Sequence, residues 1–466
     1  MPRLRYPVDV LRPRHRLAAI VPAWNEADSI GPVVHGLRQA GACCVFVVDP
    51  GSSDTTREVA AAAGATIIDE PRRGYGQACL AGMEVAAGHE LVAFLDGDGS
   101  CDPSELAAMV AAADECGADL VLGRRQHVDP GALPLHARFG NRLVAKVLSS
   151  RTGQPLGDLP PFKLARGDAL EDLRLNEPGF GWTVQLVGRS LAHPALRVVE
   201  RPSRFRARTG GSSKVSGRLG PSLRAGAAML GRAWTSSRRR GLLVLMAKAP
   251  RAGHSKTRLA AALGTETASF WSACLRDSAD VLRRAAARAD LDVAAMTTTP
   301  GDAAIVRGLT GLPTLAQRGP GLGQALLEVS ELAAPFTIAV SADVPTLPAD
   351  ILVSAAAALR SRSAVLGPGE DGGYYLVGLR ERADRAARCR AFLEAPMGTE
   401  TVLAHTRQAL GDPFLLDPWP DVDTPEELDR LLEQLGREPS AAPNLAAWFR
   451  AAAVDGNLKR LASYNR

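Results

Sequence analysis

Leu91-Val92-Ala93-Phe94-Leu95-Asp96-Gly97-Asp98 joins a short apolar run to an acidic pair. A run of this length and composition predicts a strand buried on both faces of a parallel sheet. Carboxylates at the C-terminal end of such a strand stand where open α/β sheets bind their ligands. With glycine between them, Asp96 and Asp98 can both turn toward one divalent cation. Hard oxygen ligands suit Mg²⁺ or Mn²⁺, which bridge a few carboxylates to substrate phosphates. A solvated Asp-Gly turn has the same local sequence, so the flanking chain decides the meaning of the pair.

Outward from that strand, apolar runs alternate with amphipathic ones. Strands are predicted at Leu17–Val21, Val45–Val48 and Ala65–Ile68, and helices at Ala27–Ala40, Thr55–Ala63 and Gln77–Ala87. This rhythm argues for a doubly wound, mostly parallel α/β sheet. It breaks at Arg238-Arg239-Arg240-Gly241 and restarts at Leu242–Met246, with further strands at Leu291–Met296, Thr337–Val340 and Ala364–Leu366. The expected organisation is a basic N-terminal tail (1–16), a first domain (17–237), a linker (238–241), a second domain (242–437) and a C-terminal tail (438–466). Both halves place a strand, a loop facing phosphate and a later acid at a strand end, so related folds fused in tandem are the natural reading.

Bulk properties bound the function. At 466 residues, 46% hydrophobic and 23% charged, the chain exceeds one typical core and is globular in composition. No apolar run has the length of a membrane span, and Leu17–Val21 is too short for a signal sequence, so a cytoplasmic location is expected. Seven cysteines without C-x-x-C spacing argue against a disulfide framework or a zinc site, and Cys43 and Cys44 read as small core residues. The net charge is only +5, yet twelve Lys/Arg face one acid, Glu200, between Arg197 and Arg240. Such a stretch suits phosphorylated substrates or a membrane surface. Lacking interleaved aromatics and any recognised motif, it argues against nucleic acid.

In the first half, Pro22-Ala-Trp-Asn-Glu26 ends the first strand and Asp49-Pro-Gly-Ser-Ser-Asp54 ends the second. Asp49 can accept from a nucleoside, while Ser52 and Asp54 also read as helix caps. Further blocks are Glu70-Pro-Arg-Arg-Gly-Tyr-Gly76, Pro134-Leu-His-Ala-Arg-Phe-Gly-Asn141, Asp158-Leu-Pro-Pro-Phe162, Gly179-Phe-Gly-Trp-Thr183 and Ser213-Lys-Val-Ser-Gly217. Together with Asp96-Gly-Asp98 the ordered set resembles the inverting family-2 glycosyltransferases of GT-A fold, nearest the dolichyl-phosphate-mannose-synthase-like branch, from about Leu17 to Trp234. The resemblance implies that Pro22, Trp24, Glu26 and Asp49 hold the nucleotide of a nucleotide-sugar donor, and that Asp96 and Asp98 hold Mg²⁺ or Mn²⁺ on its diphosphate. It implies Arg208 and Lys214 closing over the donor, and Arg125 and Arg138 binding the phosphate of a polyprenyl-phosphate or other phosphorylated acceptor. An alcohol acceptor would need a base. Asp158 is the candidate, with a structural role beside two prolines as the alternative. Gln185 stands where the family often has an acid, and Pro50 replaces a common polar residue. Strand-end carboxylates are expected to be exposed and to contribute little to packing.

In the second half, Met246-Ala-Lys-Ala-Pro-Arg-Ala-Gly-His-Ser-Lys-Thr-Arg-Leu259 follows a strand, but its glycine spacing is wrong for a P-loop. It resembles the opening loop of molybdenum-cofactor and phospholactate guanylyltransferases, which implies phosphate contacts from Lys248, Lys256 and Arg258. Asp343 ends the strand Ile338–Val340, Asp371 lies in Gly369-Glu-Asp-Gly-Gly373, and Asp423-Thr424-Pro425 reads as a helix start. From Leu242 to about Leu435 the set resembles the GT-A-fold family associated with radical-SAM and selenium-related genes, which implies a second metal site at Asp343 and Asp371. The sequence therefore leads to a bifunctional, metal-dependent glycosyltransferase of two tandem GT-A domains, able to touch a membrane peripherally. The alternatives for the second domain are a nucleotidyltransferase or a non-catalytic nucleotide-binding scaffold.

Overall fold

A computed structural model describes residues 16–209, 219–251 and 255–454. The chain divides into two compact units, the first comprising Met1–Ala192 with Leu196–Arg238 and the second His193–Ala195 with Arg239–Arg466.

The first unit is built on β1 (Leu17–Pro22), β2 (Cys44–Asp49), β3 (Thr66–Asp69), β4 (Leu91–Phe94), β5 (Leu120–Val128), β6 (Lys163–Arg166) and β7 (Val198–Phe205). They form one sheet in the order β3-β2-β1-β4-β6-β5-β7. The sheet is parallel except at β6, which runs antiparallel to β4 and β5. In β1, Leu17, Ala19 and Val21 enter the core on one face, and Ala18 and Ile20 that on the other. A central strand covered on both sides must be apolar throughout, which is why β1 and β4 were legible as continuous apolar runs.

The second unit repeats the plan with β8 (Leu242–Met246), β9 (Asp292–Thr297), β10 (Thr314–Ala316), β11 (Phe336–Ser341), β12 (Ala364–Pro368), β13 (Tyr374–Arg380) and β14 (Phe414–Leu415). Their order is β10-β9-β8-β11-β13-β12-β14, with β13 antiparallel to its neighbours. The tandem α/β fold expected from the sequence is what the chain adopts, although each sheet is mixed.

The duplication extends to individual backbone hydrogen bonds. Ala23 N donates to Val48 O (3.0 Å) as Ala247 N does to Met296 O (2.9 Å). Gly97 N bonds Pro22 O as Ala342 N bonds Met246 O, each at 3.3 Å. Glu70 N reaches Asp49 O (3.1 Å), and Gln317 N reaches Thr297 O (2.8 Å). The chain beyond β7 returns Thr209 N to Asp98 O (3.4 Å), and the chain beyond β14 returns Val422 N to Asp343 O (3.0 Å). These four pairs fix a residue correspondence: Asp96, Asp98, Asp49 and Arg208 match Ser341, Asp343, Thr297 and Asp421.

Two expectations are corrected here. The segment read as a C-terminal tail joins the second core: helix Pro443–Val454 buries Leu445 and Phe449, and Asp277 accepts from the backbone of Asn444 and Leu445. Its Trp448 and Phe449 rings meet Phe270 of a long helix, Thr267–Ala289, whose extent the sequence did not reveal. Cys43 is exposed and Cys44 half-buried, because Cys43 precedes β2 and Cys44 is its first residue; Cys79, Cys101 and Cys274 are the buried thiols.

Candidate active site

The C-terminal ends of β1, β2 and β4 and the segment after β7 meet in the first unit. Their loops are cross-linked by side chains. Asn25, held at φ 52°, donates its backbone N–H to Ser52 Oγ (2.9 Å) and accepts from Ser53 N (2.9 Å). Glu26 N donates to Thr56 Oγ1 and Ala27 N to Asp54 Oδ2. Ser52 and Asp54 therefore lock the β1 and β2 loops together; Asp54 also accepts from Thr56 N, whereas Ser52 bonds Asp49 and does not cap the helix. Asp49 is fully buried, and Ser52 donates to it from both its N–H and its hydroxyl (2.6 Å). The Arg73 guanidinium lies 4.7 Å over the Trp24 ring. Pro22 contributes its carbonyl to Gly97 N.

Asp98 is buried, contrary to the expectation of an exposed strand end. It accepts from Ser100 N (2.9 Å) and meets Arg208 Nη2 at 3.0 Å, while Arg208 Nη1 lies 3.7 Å from Glu26. Arg208, expected from the resemblance to close over the donor, thus lies against Asp98; Lys214 and the block Ser213–Gly217 lie outside the described residues. Asp96 is the unusual member. Its Oδ1 is buried without a hydrogen-bond partner. Burial, reinforced by the charge of Asp98, pushes its carboxyl pKa up, while Lys163, Tyr75 and Arg208 oppose that shift.

Lys163 is a site residue that sequence reading missed. It opens β6, is fully buried, and donates to the carbonyls of Pro161 (2.9 Å) and Pro160 (3.2 Å), to Thr183 Oγ1 (3.2 Å) and to Tyr75 OH (3.4 Å). Its ammonium also lies 5.7 Å from both the Tyr75 and Trp182 rings. Burial lowers its pKa and the charge of Asp96 pulls it back. Three of the quoted blocks thus converge on one cation. They also touch directly, since Gly76 N and Gln77 N donate to Gly179 O and Pro178 O. A Cβ on Gly76 would sit 2.1 Å from Glu177 O, so only glycine fits there.

Arg125 and Asp158 form a nearly buried bidentate pair, at 2.7 Å for both Nε and Nη2, with Arg125 N and Leu159 O completing the bonds. Arg138 keeps a buried Nε without a partner. Gln185 accepts from Asn176 N and Glu177 N and donates to Asn176 Oδ1, so it shapes the loop beside Gly179.

In the second unit, Lys256 turns inward. Its side chain is 4% exposed, its backbone is left-handed at φ 51°, and its ammonium bridges Asp343 and Asp423 and reaches Val422 O. Burial works against that charge, but the two carboxylates hold its pKa above the ordinary value. Lys248 and Arg258 are exposed, as is Asp371, whose Oδ1 accepts from Gly373 N. Thr424 caps the next helix in a capping box with Glu427, as its sequence suggested. The pairing of Asp423 with Lys256 was hidden behind that local role.

Burial and, in turn, the charges of Asp423, Asp371, Glu427 and Asp343 push the Asp421 carboxyl up to about 6. A carboxyl raised in the folded state contributes stability that is full below its unfolded pKa and lost as pH rises through the folded value. Asp421→Asn is therefore expected to melt above the wild type at pH ~7.5 and to converge with it near pH ~4, in calorimetric scans across that window.

The profile described as "Glycosyl transferase family 2" matches residues 18–172. An uncharacterized glycosyltransferase of Mycobacterium tuberculosis is 41% identical over 203 residues, covering 44% of this chain and 91% of the relative. The chain belongs to glycosyl transferase family 2. A polyprenol monophosphomannose synthase of Mycolicibacterium smegmatis is 29% identical over 231 residues, 44% of this chain and 83% of that protein. Residues 281–399 match the family described as "Uncharacterized protein conserved in bacteria (DUF2064)". Among solved structures, glucosyl-3-phosphoglycerate synthase of Mycobacterium tuberculosis, in complex with Mn²⁺, uridine diphosphate and glucosyl-3-phosphoglycerate, aligns over 48% of this chain and 80% of that one at 19% identity and TM-score 0.39. The family assignment does not depend on that structural likeness.

Proposed function

We propose that the first unit transfers a glycosyl group from a nucleoside-diphosphate sugar to an acceptor bearing a phosphate, by a single displacement that inverts the anomeric carbon. The observation that carries this reading is the buried, unpartnered Oδ1 of Asp96 beside Asp98 at the end of β4. A buried carboxylate oxygen without a donor is costly unless a cation completes it. The pair therefore fits Mg²⁺ or Mn²⁺, which would supply Lewis acidity to the donor diphosphate. Arg208 adds a fixed positive charge where negative charge develops on the departing diphosphate, and Lys214 is assigned the same task from sequence. Pro22, Trp24, Glu26 and Asp49 border the nucleotide.

An acceptor phosphate oxygen bonds to the anomeric carbon as the bond from that carbon to the donor's diphosphate oxygen breaks, its electron pair leaving on the nucleotide. A phosphate brings its own anionic oxygen and needs no base. The engagement of Asp158 by Arg125 supports this, because a carboxylate held by three donors is poorly placed to take a proton. The polyprenol monophosphomannose synthase among the relatives favours a polyprenyl phosphate. No described helix is long and apolar enough to cross a membrane, and we place the enzyme on the cytoplasmic side as a peripheral protein. The test is a thermal-shift panel of nucleoside diphosphates with and without Mn²⁺, since ligands of the native state raise the melting point. A metal-dependent rise that Asp96→Asn abolishes supports the reading; a rise indifferent to metal and to Asp96 overturns it.

Arg125 and Arg138 should separate in the same assay. Arg125→Ala leaves Asp158 buried and unpaired, and is expected to cost about 3–5 kcal/mol of stability. Arg138→Ala should instead raise the acceptor KM at least about tenfold, since one charge-assisted contact to phosphate is worth roughly 1.5–3 kcal/mol. Steady-state kinetics with denaturant melts of both variants checks the split.

For the second unit, the same hydrogen-bond correspondence favours a second chemistry. Where the first unit offers Asp96 and Arg208, the second offers Ser341 and Asp421, with Lys256 held among Asp343 and Asp423. We propose a transferase acting on a nucleotide sugar, with nucleotidyl transfer as the alternative that this cluster supports. In either, the exposed Lys248 and Arg258 would meet the phosphates, Lys256 would hold Asp343 in place, and Asp343 and Asp371 would hold a divalent ion. Pyrophosphate release from an NTP and a sugar phosphate, lost in Lys256→Ala and Asp343→Ala, would establish the alternative.

A further inference from the structure

We propose that the first unit docks on an anionic lipid bilayer through the outer face of helix Leu135–Thr152 and the adjoining end of helix Leu219–Ser236. The former helix buries Val144, Ala145, Leu148 and Thr152 on one side. Its opposite side carries Leu135 (82% exposed), Phe139 (70%) and Leu143 (39%), one helical turn apart. Leu135 and Phe139 are the two most exposed large apolar side chains among the described residues, and Trp234, at 63%, is the third. Trp234 belongs to the second helix and stacks under Arg151 at 3.7 Å, beside the far end of the first.

Scattered exposed apolar residues need no explanation, but a stripe along one helix does. Its charges name the occupant. Neither helix contains a single Asp or Glu. Arg142 and Lys146 are exposed on the same face as Phe139 and Leu143, and His136 follows Leu135. An apolar stripe interleaved with cations and free of acids fits the boundary between acyl chains and anionic headgroups. There the rings sink into the boundary, while Arg and Lys stems run through the apolar zone to reach phosphates. A protein partner burying this face would have to be acidic and apolar together, whereas the lipid surface is both by construction. The surface complements the transfer reading, because a lipid-linked acceptor phosphate would be met at that plane. Docking is nevertheless measured without donor or acceptor, so failure of either idea leaves the other standing.

The experiment uses the full chain and sedimentation with sucrose-loaded vesicles of phosphatidylcholine alone or with about a third phosphatidylglycerol, at low and at about 0.5 M salt. The wild type should sediment with the anionic vesicles, weaken at least about tenfold in high salt and ignore neutral ones. Leu135→Glu/Phe139→Glu should lose the binding, and Arg142→Glu/Lys146→Glu should lose its salt-sensitive part. All four side chains are exposed, and an unchanged circular-dichroism melt shows that the fold persists. Vesicle-induced change in tryptophan emission should shrink in Trp234→Phe. No sedimentation at low salt, equal binding to neutral vesicles, or binding untouched by Leu135→Glu/Phe139→Glu would overturn the proposal. So would a dimer without lipid that this double variant converts to monomer, since a second copy would then cover the face.

Discussion

Asp96→Asn is expected to abolish glycosyl transfer, by at least about a thousandfold, and at the same time to raise the melting point of the metal-free protein. Loss of a single well-placed electrostatic group commonly costs about 10²–10³ in kcat, and a Lewis-acidic metal supplies several kcal/mol of charge stabilisation besides. The rise in stability comes from the same residue. Its Oδ1 is buried without a partner and Asp98 lies beside it, so its charge is opposed by desolvation and repulsion. An amide of the same shape removes both. Asp98→Ala should be equally inactive but less stable, because Asp98 accepts from Ser100 N and pairs with Arg208. Calorimetry of the two variants with and without Mn²⁺ checks the contrast. Metal should raise the wild-type transition and leave Asp96→Asn unmoved. An active Asp96→Asn enzyme, or one that melts lower than the wild type without metal, would remove Asp96 from the site.

How much of this was legible in the chain depended on where each residue's partners lie. β1, β2, β4, β8 and β11 announced themselves because central strands, covered on both faces, are apolar through most of their length. β10 and β14 are three and two residues long, too short for any pattern to rise above its surroundings. The antiparallel strand β6 was hidden by its first residue, since a lysine inside Phe162-Lys163-Leu164-Ala165 reads as an interruption. Asp96 and Asp98 were legible through their place at a strand end. Their surroundings were not, because Arg208, which pairs with Asp98, returns from beyond β7.

Pairings across the fold were the least accessible. Arg125 and Asp158 are each plausible ligands in isolation, and only the tertiary structure turns them on one another. Asp423 looked sufficiently explained by the helix start at Thr424-Pro425, which the structure also shows. A local role does not exclude a distant one: the carboxylate that precedes the cap also holds Lys256. The opening loop of the second unit misled in the opposite direction. Three cations within eleven residues suggested a row facing phosphate, yet the backbone at Lys256 is left-handed and its side chain lies inward. Non-glycine residues rarely occupy that region without compensation, and the two carboxylates supply it.

Lys163→Met should cost the first unit about 3 kcal/mol or more and weaken metal binding with it. Two effects compete. Removing the ammonium relieves the desolvation that lowers its pKa, and methionine fills much of the same volume. Against this, the carbonyls of Pro160 and Pro161 and the hydroxyls of Tyr75 and Thr183 lose their donor. Each buried group left unsatisfied costs roughly 1–3 kcal/mol. Asp96 meanwhile keeps its charge and loses a buried positive neighbour. The orphaned groups outnumber the one that is relieved, so destabilisation should win. The variant's carboxylate also becomes harder to ionise, which should weaken Mn²⁺ binding measured at fixed pH. A double variant separates the contributions. If Asp96 and Lys163 act on each other, Asp96→Asn should recover part of the stability lost in Lys163→Met, giving a coupling of about 0.5–3 kcal/mol. Strict additivity of the two changes would leave Lys163 as a support for the proline loop alone, with no part in tuning the carboxylate at the end of β4.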